Sequence, residues 1–108
     1  MAISFKMIEL DRPRKLRFTM GAVMEFEDLT GIKVGELNGE ISGTTCIKLL
    51  WTMLRQEDHS LTLDDVSNLV DEHADNLNYV ITTTMQAARI AFNGDEDPNA
   101  VATAKKKR

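Results

Sequence analysis

The side chains able to do covalent or acid–base chemistry are few and scattered. The 108-residue chain holds one cysteine, Cys46, and two histidines, His59 and His73. A metal centre or a catalytic dyad needs such groups at fixed spacings, as in a His-Glu-x-x-His helix or paired Cys-x-x-Cys turns. His59 stands in the polar run Gln56-Glu57-Asp58-His59-Ser60, and His73 follows Asp71-Glu72. Neither has a cysteine or a second histidine at ligand spacing. Cys46 sits in the most apolar stretch of the chain, where a buried, inert thiol is expected. Ser42, Ser60 and Ser67 lack the glycine context of a nucleophile elbow. Glu25, Glu27 and Asp28 crowd three carboxylates together, but with no nitrogen or sulfur ligand nearby they read as a wet helix face. The expectation is a protein that is not an enzyme, with no catalytic residue, no cofactor and no metal.

What remains is the chemistry of apolar contact. The chain has six methionines, of which Met7, Met20, Met24, Met53 and Met85 fall on or near apolar faces. Thioethers fill irregular cores, and they also adapt to varied apolar partners. The stretch Cys46-Ile47-Lys48-Leu49-Leu50-Trp51-Thr52-Met53-Leu54 carries the single tryptophan. At helical spacing its apolar residues cover more than the stripe of roughly 100° usual for a surface helix. Either neighbours wrap it or a partner chain shares it. Leu50, Trp51, Met53 and Leu54, with Met24 and Phe26 adjoining, are therefore the candidate protein-binding residues. The stretch is too short for the ~20 residues of a membrane span, and Lys48 and Arg55 interrupt it.

Several elements must position these groups. Ile3, Phe5 and Met7 alternate with Ser4 and Lys6, a strand period, and the pattern shifts at Ile8 and Leu10, which leaves room for a bulge. Asp11-Arg12-Pro13-Arg14 has turn chemistry. Leu16 and Phe18 then alternate with Lys15 and Arg17, completing a hairpin whose Arg12, Arg14, Lys15 and Arg17 form a basic patch. Thr19 caps a first helix that Gly31 ends, with Met20, Val23, Met24, Phe26 and Leu29 as its inner face. Gly31, Gly35, Gly39 and Gly43 punctuate a loop from which Ile32, Val34, Leu37 and Ile41 can dock. A helix follows from about Gly43 to Glu57.

Thr62 with Asp65 resembles a capping box and opens a third helix on Leu63, Val66, Leu69 and Val70. The last helix runs over about 76–92, with Leu77, Val80, Ile81, Met85, Ala88 and Phe92 inward, and Asn93-Gly94 stops it. The fold class is α+β, mostly α: an N-terminal β-hairpin followed by about four helices in a small bundle. Residues 1–93 form one domain, and 94–108 read as a disordered tail.

The formal net charge of −4 is unevenly spread, at +3 over residues 1–18, −4 over 19–60, −7 over 61–97 and +4 over 105–108. An acidic body repels phosphates, so no nucleic acid partner is expected. Lys6 and Glu9 break the apolar N-terminal run, which leaves no signal-peptide core and points to the cytoplasm. No membrane partner is expected.

The run from Arg14 to Gly31, Arg-Lys-Leu-Arg-Phe-Thr-Met-Gly-Ala-Val-Met-Glu-Phe-Glu-Asp-Leu-Thr-Gly, resembles the opening of small phage tail assembly chaperones. In that family a basic strand leads into a helix ending in Thr-Gly. The later Leu-Leu-Trp helix, the Leu-Thr-Leu-Asp-Asp-Val start and the terminal helix follow the same order, so the likeness covers about residues 10–93. The resemblance implies a chaperone of viral morphogenesis acting in the host cytoplasm and absent from the mature virion. Its partners would be the tape-measure protein, the tail-tube protein and further copies of itself in a homo-oligomer. Many members of that family are also made in a longer frameshifted form, and Lys105-Lys106-Lys107 is either a place for slippery codons or a plain solvated tail. The other classes open to such a chain are a structural tail-completion or connector component and a small host-protein-binding adaptor.

Overall fold

A computed structural model describes residues 5–37 and 41–93. Two antiparallel strands come first, β1 (Phe5–Glu9) and β2 (Pro13–Arg17), and four helices follow. These are α1 (Met20–Thr30), α2 (Gly43–Leu54), α3 (Leu63–His73) and α4 (Leu77–Asn93). The α+β, mostly helical class expected from the sequence is the one observed. The predicted disorder of residues 94–108 lies outside the described residues.

The hairpin pairs Phe5 with Arg17, Met7 with Lys15 and Glu9 with Pro13, without interruption. There is no bulge at Ile8. The alternation shifts there because both faces of β1 carry apolar groups. Ile8 and its neighbour in space Leu16 are fully buried against the helices, whereas Phe5 and Met7 face outward and stay 44% and 41% exposed. The turn is clamped by Arg14, whose guanidinium donates twice to the Asp11 carboxylate at 2.8 and 2.9 Å. A two-stranded ribbon is marginal alone. Here α2 packs along β2 and α4 along β1.

The core is built around α2. Leu49, Leu50 and Met53 are completely buried and Leu54 nearly so, among Ile8, Leu16, Phe18, Ala22, Phe26 and Val66. Ser42 starts α2 by accepting the Thr45 amide proton at 3.0 Å. The helix ends at Leu54 and tight turns carry the chain on to Glu57, three residues short of the expected helical end. Ile32, Val34 and Leu37 of the glycine loop dock on this same core, and residues 34–36 form one 3₁₀ turn.

Two inner faces differ from expectation. In α1 the buried row is Ala22, Val23 and Phe26, while Met20 and Met24 are 69% and 60% exposed and Leu29 lies outward. The helix is apolar on more than one side, and the small Ala22 lets α2 approach closely, which turns the methionine row to solvent. In α4 the buried residues are Val80, Thr83, Thr84, Ala87, Ala88 and Ile90, with Leu77 and Phe92 exposed. Val80 and Ala88 are buried as expected and Met85 packs against the core, while Thr83, Thr84 and Ala87 join them inside in place of Leu77 and Phe92. Gly31 ends α1 at φ 74°, a left-handed cap that a side chain strains.

Candidate functional site

Four of the six candidate binding residues serve the chain's own interior. Phe26, Leu50 and Met53 have no exposed surface and Leu54 has 2%. Reaching them would require opening the fold, so they are packing residues here and not a ready contact surface. The over-apolar stripe of α2 is satisfied by α1, β2, α3 and α4 together. Trp51 is intermediate. Its indole N–H donates to the Leu61 carbonyl at 2.9 Å, which ties α2 to the segment before α3. The Arg55 guanidinium lies 5.0 Å from the ring and also pairs with Glu25 of α1. Only Met24 stands free on the surface.

Met24 does not stand alone. Met20 lies one turn earlier on the same row. The Phe18 ring, just before α1, meets Phe26 edge-on at 6.4 Å and Phe92 at 6.1 Å. The second contact brings the exposed end of α4 to the start of α1. Met20 and Met24 on α1, and Phe92 at the end of α4, are large apolar side chains left exposed. Adjacent exposed apolar groups, such as Met20 and Met24 on one helix row, mark interaction surfaces more often than scattered ones do. Helical periodicity places Met20 and Phe92 inward, and the structure leaves both exposed.

The basic patch divides in two. Arg14 is bound to Asp11 and lies 3.9 Å from Asp58, and Arg17 pairs with Glu57 at 3.3 Å. Both arginines are spent on holding the hairpin to the end of α2. The Arg14 guanidinium holds the Asp11 carboxyl at about 2, well below its usual range. Asp58 is lowered mainly by the hydroxyl and amide of Ser60. Arg12 is exposed, and the Lys15 ammonium sits 4.8 Å over the Phe5 ring. These two remain as surface cations beside Phe5 and Met7.

Among the described residues no three histidine, cysteine or carboxylate side chains converge to hold a metal ion. Burial between α2 and α4 pushes the Cys46 thiol up, away from the thiolate form that does chemistry. His59 is exposed in the α2–α3 link, and His73 reaches only Glu72, at 3.9 Å. Among the described residues no helix is long and apolar enough to cross a membrane. Met20, Met24 and Phe92, with Phe5 and Met7 on the outer face of the hairpin, are large apolar side chains left at the surface. No family model, curated protein or solved structure matches this chain.

Proposed function

We propose that the protein is a phage tail assembly chaperone that masks apolar segments of the tape-measure protein and helps recruit tail-tube subunits. The observation that carries the reading is the exposure of Met20 and Met24 (69% and 60%) on a domain whose own core is already complete. Those side chains contribute nothing to closing the fold, and thioethers fit clients of varied shape. The likeness of residues 14–31 to that chaperone family supports the same reading. Each contact is weak, so many copies act together on one long client and each can be displaced as the tube grows. The protein works in the host cytoplasm and leaves before the virion is finished.

Co-expression with the tape-measure protein, followed by pull-down and light-scattering mass, tests this. The expected result is a complex with several copies per client, lost in the Met20→Ser/Met24→Ser variant. That variant should keep its thermal midpoint, because neither side chain is buried. A strictly monomeric protein that leaves the client insoluble would overturn the reading. So would recovery of the chain from purified particles, which would make it a virion component.

A further inference from the structure

In the sheet formed by the described residues, β1 pairs only with β2. In an antiparallel pair every second residue turns its N–H and C=O away from the partner strand. Glu9 identifies the outward set: its amide donates to the Tyr79 hydroxyl of α4 at 2.9 Å, and Pro13 opposite has no N–H to exchange. Met7 and Phe5 are two and four residues earlier, so their N–H and C=O groups point the same way. Among the described residues no carbonyl, amide or hydroxyl takes them up. Beside them, between β1 and α4, runs a recess of about 350 Å³ lined by Lys6, Met7, Asn78, Tyr79, Thr82 and Gln86.

We infer that this edge accepts an extended segment of another protein by strand addition, and that the segment alternates apolar residues with carboxylates. Its backbone supplies the partners that Met7 and Phe5 lack, at the ~4.8 Å spacing of neighbouring strands. On one side its side chains meet the half-exposed Phe5 and Met7. On the other they meet Lys6 and the hydroxyl and amides of Thr82, Asn78 and Gln86, which suit carboxylates. The whole hairpin is cationic, with Lys6, Arg12, Arg14, Lys15 and Arg17 against Glu9 and Asp11.

That charge selects the occupant. A second copy pairing edge to edge would bring two cationic hairpins together, which like-charge repulsion opposes. The chain's own Asp95-Glu96-Asp97 has no alternating apolar residues and runs into Pro98, which cannot donate to a ladder. The inference stands apart from the masking reading, since a partner of any role could present such a segment.

The test uses the full chain and two short synthetic peptides of equal composition. One alternates valine with glutamate, and the other places the same residues in two blocks. The alternating peptide should shift the amide resonances of Phe5 and Met7 and slow the hydrogen exchange of both. The block peptide should bind weaker by about tenfold or more. Met7→Pro removes the outward donor and leaves the β1–β2 ladder intact, and it should abolish the effect. Thr82→Glu, on the exposed side of α4, tests the same recess by repelling the carboxylates, and binding should fall there too. Equal binding of both peptides, or binding unaffected by Thr82→Glu, would overturn the inference. So would a Met7 amide already protected without peptide, or a dimer that Met7→Pro dissolves.

Discussion

Leu50 and Met24 look alike in a list of apolar residues and behave as opposites in the fold. Leu50 is enclosed on every side, so Leu50→Ala leaves a cavity and should cost about 2–5 kcal/mol in urea denaturation. Met24→Ser removes a side chain that touches mostly water and should change stability by less than about 0.5 kcal/mol. Equal losses for the two would mean that α1 is not turned as described. Trp51 lies between these limits. Trp51→Phe keeps most of the ring volume but deletes the bond to the Leu61 carbonyl, so a loss of about 1 kcal/mol is expected by the same measurement. Sequence could name these residues as apolar and helical. It could not divide them into core and surface, because α1 is apolar around most of its circumference and only the position of α2 decides which row is covered.

Local elements were more legible than their orientations. Thr62 and Asp65 form a complete reciprocal cap on α3, and Thr62→Ala should therefore cost about 0.5–2 kcal/mol. A midpoint unchanged by that substitution would mean that α3 is held by its packing alone. The hairpin was readable from its alternation and from Asp11-Arg12-Pro13-Arg14, whose local geometry depends on few outside contacts. Its inward face was not readable, since Phe5 and Met7 compete with Ile8 for the role. The Asp11–Arg14 clamp gives the turn a pH dependence. Asp11 has a folded pKa of about 2 against an ordinary value of 3.8. Its stabilising contribution is present above about pH 4 and is lost as the pH falls through 2. The difference in thermal midpoint between the native chain and Asp11→Asn should therefore shrink over that interval. A difference that stays constant would show that the carboxylate charge contributes nothing. The effect is small, because the pair is partly exposed.

For the molecule as a whole, Cys46 reports on cooperativity. It lies between α2 and α4 with its thiol pushed up by burial. A neutral thiol reagent should react with the native chain slower than with the unfolded chain by orders of magnitude. The rate should rise with denaturant along the same transition as Trp51 fluorescence. Fast reaction well below that transition would show that α4 separates from α2 on its own. This closure was the least legible level in the sequence. The threonines of α4 lower its helix propensity and read as a weakness, yet Thr83 and Thr84 are buried where α4 meets its neighbours. Such a choice makes sense only once both elements are in place.

The tie between Glu9 and Tyr79 spans 70 residues. A chain emerging from the ribosome can therefore lay α2 across β2 midway through synthesis, but β1 waits for α4. Until α4 is translated, the β1 side of the nascent domain stays uncovered and oily, vulnerable to collapse onto its neighbours.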